Sequence, residues 1–172
     1  MNNFSEVQKF RQWWLWVLLA GVLVVPVTLA FYHNGFKYSP DVMNEILIGA
    51  IVPLVIMILF YIMQLRTKID EKGIYYRFFP IHFQVLVISW DEVTKAYVRQ
   101  YSPILDYGGW GIRYGLGGKG KAYNVSGNMG LQLELNTGKK ILIGSQQPNE
   151  LNELLDQLVK AKIIKAEVRK PV

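Results

Sequence analysis

The sequence has no cysteine and only two histidines, His33 and His82, among 172 residues. Without thiols there is no disulfide, no thiolate metal site and no cysteine nucleophile. Two imidazoles are too few for a histidine-rich metal centre. Neither stands close in sequence to a serine, so no Ser–His pair is suggested. The acids Asp91, Glu92 and Asp106 fall near strand ends, and Asp91-Glu92 directly after Trp90 reads as a turn behind an anchoring aromatic. No catalytic residue, metal or cofactor is expected, and the chain is not read as an enzyme.

Charge is missing altogether from two stretches, Trp13 to Tyr32 and Ile46 to Leu65, each twenty residues long. At about 1.5 Å of rise per residue, such a helix covers roughly 30 Å, the thickness of a bilayer's hydrocarbon core. Trp13, Trp14 and Trp16 at one end of the first stretch, with Phe31 and Tyr32 at the other, resemble interfacial belts. A secretory signal cleaved after Ala30 is the competing reading. It fits poorly with so long a run opened by tryptophans. Residues 1–65 are therefore expected to form a transmembrane helical hairpin with spans 13–32 and 46–65, joined by the polar residues 33–45. Pro26 and Pro53 fall at matching depths, about 9–11 Å from the outer end. Beside Gly49 and Ala50 they offer a way to shape a helix contact, although proline is simply commoner in membrane helices. With no charge inside either span, an ion pathway or proton relay is not expected.

The net charge of +6 lies entirely beyond the second span, where sixteen Lys or Arg face ten Asp or Glu from Arg66 onward. Lys9 and Arg11 precede the first span, Lys37 lies in the loop, and Arg66 and Lys68 follow the second. The bias places both termini in the cytoplasm and makes this a multi-pass protein of the cell membrane. The basic excess favours a membrane surface or an acidic protein as partner.

From Lys68 the pattern alternates. Ile74, Tyr76 and Phe78 alternate with Tyr75, Arg77 and Phe79, and Phe83, Val85 and Val87 alternate with Gln84, Leu86 and Ile88. Leu131, Leu133 and Leu135 alternate with Gln132 and Glu134 before the turn Asn136-Thr137-Gly138. These are short strands of a small antiparallel barrel or sandwich. Pro148 then opens a helix whose Leu151, Leu154, Leu155 and Leu158 share one face. A β module capped by a C-terminal helix is expected over residues 66–163, with a basic mobile tail at 164–172.

Four segments carry a further likeness: Ile88-Ser-Trp-Asp-Glu-Val93, Gly108-Gly-Trp-Gly111, the run Asn128 to Gly144, and Gln146-Gln-Pro-Asn-Glu-Leu151. Together with the strand-then-helix order they resemble the bacterial PH-like domains of small membrane proteins, many of which carry a helical hairpin in front. The resemblance covers about residues 66–163 and implies an α+β membrane protein with a PH-like barrel. It implies no catalytic residues.

Nine glycines crowd residues 108–130. Gly115-Leu-Gly-Gly-Lys-Gly120 matches G-x-G-x-x-G, and Gly115 to Lys121 matches most of a phosphate loop. Both motifs need a helix to start directly after the glycines. Ala122-Tyr-Asn-Val-Ser-Gly127 instead reads as strand and turn, so nucleotide binding is not expected. The stretch is read as a long flexible hairpin loop carrying Trp110, Arg113, Lys119 and Lys121. These four are the candidate residues for a lipid or a partner. Nucleic-acid binding suits the charge but lacks any motif. The expected role is a membrane-anchored domain that binds a protein partner or itself. The alternatives are anionic-headgroup binding through residues 108–121 and, last, an enzyme of unknown type.

Overall fold

The computed structural model describes residues 3–35 and 39–169. Lys37 of the expected outer loop and residues 170–172 of the expected tail lie outside the described residues. The chain divides into two compact units. One runs from Phe10 to Met63, and the other is made of the chain on either side of it.

The first unit is a pair of helices, α1 (Trp13–His33) and α2 (Pro40–Ile62). Ser39 caps α2, its Oγ accepting from the Val42 amide at 3.3 Å, and Pro40 and Asp41 suit the first turn. The start of α1 meets the end of α2, so the helices are antiparallel. Phe10 and Phe60 meet edge-on with centroids 5.3 Å apart, and the Trp16 indole donates to the Phe10 carbonyl at 3.1 Å. Both helices are long and apolar enough to cross a membrane, and only 11% and 6% of their most apolar windows are buried. A core helix of a soluble protein would be mostly buried, so these exposed apolar surfaces point to membrane association. Gly49 takes no part in a close helix contact, because a side chain there would meet open space.

The second span was expected at 46–65, but α2 stops at Ile62 and Gln64 already pairs in a strand. The larger unit begins before the helices, with β1 (Phe4–Lys9), within the residues 1–65 expected to belong to the helical hairpin. It pairs antiparallel with β2 (Gln64–Ile69), from Phe4 opposite Ile69 to Lys9 opposite Gln64. The helix pair is thus inserted in a β-hairpin. β3 (Gly73–Phe79) and β4 (Leu86–Ser89) complete a sheet of order β1-β2-β3-β4. Residues 83–85, expected in a strand, lie outside β4. Val85 and Val87 are both exposed.

The second sheet has the order β5-β8-β9-β7-β6, from β5 (Val93–Gln100), β6 (Gly111–Gly115), β7 (Gly120–Asn124), β8 (Met129–Leu135) and β9 (Lys140–Gly144). A short helix, α3 (Pro103–Tyr107), precedes β6, and α4 (Pro148–Lys160) follows β9. Of the expected antiparallel barrel or sandwich, two sheets are present, but a closed barrel and wholly antiparallel pairing are not. The sheets stay open: β4 and β5 are split by a 3₁₀ turn, Trp90–Glu92, and hydrogen-bond into different sheets. That turn is held by the Trp90 indole, which donates to the Asp70 carbonyl at 2.9 Å. One pairing is also parallel, β7 with β9, where Lys121 lies opposite Ile141. Their backbones approach so closely that a Cβ at Gly120 would collide with the Lys140 carbonyl.

Leu65, Ile69, Ile74 and Phe78 of the first sheet are fully buried. So are Leu131 and Leu133 of the second sheet, and Leu155 and Leu158 of α4, as the helical spacing predicts. β1 joins this core through polar side chains. Ser145 Oγ donates to Glu6 Oε2 at 2.7 Å, the Gln146 amide donates to Glu6 Oε1 at 2.8 Å, and Gln8 Nε2 donates to the Gly144 carbonyl at 2.6 Å. The N-terminal strand is therefore latched onto the β9–α4 connection.

Candidate functional site

The glycine-rich stretch contains the β6–β7 hairpin, preceded by α3. Ser102 caps α3: the Leu105 amide donates to its Oγ at 3.2 Å, while its own amide donates to Asp106 Oδ2 at 3.0 Å. This sets Tyr107 in a buried cluster with Tyr101, Ala122 and Leu142. The Tyr107 hydroxyl accepts from Arg99 Nη2 at 3.1 Å and donates to the Lys119 carbonyl at 3.3 Å, joining α3 to the hairpin. Gly115 leaves room for this ring, since a Cβ there would come within 2.7 Å of Tyr107 Cε1.

The four candidate residues do not converge. In the β6–β7 register Arg113 lies opposite Ala122 and Tyr114 opposite Lys121, so Arg113 and Lys121 project from opposite faces. Arg113 Nε donates to the Trp110 carbonyl at 3.1 Å, and the Trp110 indole donates to the Gly127 carbonyl at 3.4 Å. Lys119 pairs with Asp106. Lys121 Nζ sits 5.4 Å from the Tyr114 ring centroid and 4.9 Å from that of Tyr123. Hydrogen bonds from Lys119 and from the Ser102 amide hold the Asp106 carboxyl below the usual aspartate range. Burial pushes the Tyr101 hydroxyl up to about 12. The hairpin therefore spends Lys119 on an internal ion pair.

Beside Lys121 lies a cluster that no spacing among its residues signals. Tyr123 packs on Tyr76 with centroids 4.8 Å apart and on His82 at 5.7 Å. Burial, and then the charge of Lys121, lowers the His82 pKa, so its imidazole is neutral at pH 7. Among the described residues no group of three or more His, Cys, Asp or Glu is placed to hold a metal.

A different concentration of positive charge lies on the outer face of the first sheet. Alternation turns Val7 of β1, Arg66 and Lys68 of β2, and Tyr75 and Arg77 of β3 away from the core. In register, Val7 lies opposite Arg66, and Arg66 opposite Arg77. With Val85 these side chains line an open groove of about 480 Å³. Lys68 is paired with Asp70 at 3.2 Å. Among the described residues neither arginine is paired with a carboxylate. A second groove, of about 370 Å³, runs beside α4 and is lined by Phe4, Leu154, Glu150, Glu153, Asn3 and Gln157. No family model matches the chain, and neither does any curated protein.

Proposed function

We propose that this chain is a membrane-tethered binding domain without a catalytic role. It holds a protein partner, or a second copy of itself, at the cytoplasmic face of the cell membrane. One observation carries the reading: the apolar helix pair interrupts the first β-hairpin. Only residues 10–12 separate β1 from α1, and only Met63 separates α2 from β2. Both ends of the helix pair run directly into the β unit, so the surfaces of that unit meet membrane-bound partners at high local concentration. The groove beside α4 supplies a docking surface. Its exposed Glu150 and Glu153 suit a basic segment, while Phe4 and Leu154 at its floor are almost wholly buried. The strand-then-helix order and the buried face of α4 support the PH-like reading in its open form. Headgroup binding by the 108–121 hairpin is disfavoured by the scatter of its cations.

The absence of cysteine makes the orientation directly testable. Asn34→Cys and Lys139→Cys, both at exposed positions, are treated in intact cells with a membrane-impermeant maleimide. Labelling of Asn34→Cys alone is expected, and labelling of Lys139→Cys overturns the cytoplasmic placement. For binding, the full chain is purified from membranes in mild detergent and its mass and co-eluting proteins are measured. A partner or a dimer lost in Glu150→Lys/Glu153→Lys supports the reading. A lone monomer for both proteins refutes it.

A further inference from the structure

We propose that the outer face of the first sheet, centred on the cross-strand pair Arg66–Arg77, is a binding site for a phosphate-bearing anion, with the headgroup of an acidic phospholipid as its expected source. This goes beyond partner binding at the α4 groove and does not depend on it.

Side chains directly opposite one another on an antiparallel pair have Cβ atoms about 4.5–5.5 Å apart, and like charges so placed destabilise the sheet. Arg66 and Arg77 occupy such a position. Relief from a neighbouring carboxylate is absent among the described residues. The Glu6 carboxylate of β1 faces the other way and is taken up by Ser145 and Gln146. Arg77 Nε is enclosed and has no hydrogen-bond partner among the described residues, although its guanidinium carbon lies 5.8 Å from the Phe79 ring centroid. A tetrahedral phosphate in the groove answers the like-charge repulsion, through the guanidinium N–H groups that the groove exposes rather than through the enclosed Arg77 Nε. It neutralises the two cations and accepts from two planar guanidinium forks at once. The groove has room for a phosphodiester with its glycerol, and Val7 and Val85 offer apolar contacts for the carbon atoms.

The chain path favours a lipid as the source of this phosphate. Gln64, at the start of β2, lies opposite both Lys9 and Phe79, so that end of the sheet is where the chain leaves for α1 and returns from α2. Arg66 is two residues further along β2. The loop after Phe79 carries Ile81 and Phe83, 56% and 78% exposed, at the same end. Exposed apolar side chains next to basic ones are the composition of a surface that meets headgroups.

The test uses the full chain in nanodiscs made of phosphatidylcholine and phosphatidylglycerol. Native mass spectrometry of the released protein reads which lipids stay bound. Retained phosphatidylglycerol is expected for the wild type and for Arg113→Gln/Lys119→Gln. Retention lower by roughly tenfold or more is expected for Arg66→Gln/Arg77→Gln. Arg66→Gln alone, at an exposed position, gives a partial loss and serves if the double variant does not fold. Inorganic phosphate is then titrated calorimetrically into protein in pure phosphatidylcholine discs. Binding there that is lost in the arginine variant identifies a free phosphate anion as the source. Lipid retention without phosphate binding identifies the headgroup. Equal phosphatidylglycerol retention in wild type and arginine variants, with no phosphate binding, overturns the site. Loss of retention only in Arg113→Gln/Lys119→Gln overturns it too and returns the role to the hairpin.

Discussion

Replacing Glu6 with alanine tests whether the strand before the helices belongs to the β unit. Glu6 is 8% exposed, and its two carboxylate oxygens accept from Ser145 Oγ and from the Gln146 amide. A hydrogen bond to a charged acceptor contributes about 1.5–3 kcal/mol, and truncation leaves both donors without it. Water entering the vacated space recovers part of this, so a net loss of about 2–4 kcal/mol is expected. For a domain of this size that lowers Tm by roughly 8–16 °C. Glu6→Gln keeps one acceptor and should lose less than half as much. The assay is thermal unfolding in detergent, followed by near-UV circular dichroism, with Ser5→Ala as an exposed neighbour on the same strand. A Glu6→Ala protein as stable as Ser5→Ala would refute the latch between β1 and the β9–α4 connection.

Three further outcomes follow from the geometry. Leu155→Ala, at a fully buried site on α4, should cost about 2–5 kcal/mol in denaturant unfolding, against under 0.5 kcal/mol for the exposed Glu153→Ala. Gly120→Ala, with φ of +82° and its Cβ directed at the Lys140 carbonyl, should cost about 2–4 kcal/mol. Gly117→Ala, with φ of +63° but open space around it, should cost only about 1–2 kcal/mol. The Asp106 pKa is depressed in the folded chain. Its stabilising contribution is therefore present above the unfolded carboxylate pKa of about 3.9 and is lost as pH falls through the lower folded value. Hydrogen exchange in β6 and β7 should quicken across that acidic window in the wild type, and Asp106→Asn should flatten the dependence.

The helices were legible because nothing interrupts their apolar runs. The end of the second was not. Met63 and Leu65 continue the run in composition, yet Leu65 faces the sheet core with no exposure at all. β1 was hidden for the opposite reason. In Phe4-Ser-Glu-Val-Gln-Lys9 the inward positions include Glu6 and Gln8, while Val7 is 54% exposed, so hydrophobic alternation points the wrong way. Val85 and Val87 mislead in the same manner. The parallel β7–β9 pairing joins segments about twenty residues apart, and no local pattern encodes it. The scatter of the hairpin cations depends on register, which the turn after Gly115 sets and composition does not reveal. The arginine pair had a signal available. Arg66 and Lys68 two apart, and Arg77 between aromatic residues, are outward positions of two neighbouring strands once both strands are recognised.

Insertion of the helices between β1 and β2 fixes an order of events during synthesis. β1 leaves the ribosome before β2, its partner in the hairpin, and waits for it while residues 10–63 are made. At about 5–20 residues per second that is a wait of several seconds. Through that interval the nascent strand must be kept from foreign edges, and its polar side chains, Glu6 and Gln8, make it a poor seed for aggregation. Under the membrane placement proposed above, pairing Lys9 with Gln64 also requires both helices to cross, because a single crossing would leave the two strands on opposite sides of the bilayer. Under that placement, the first hairpin closes only once both helices are in position.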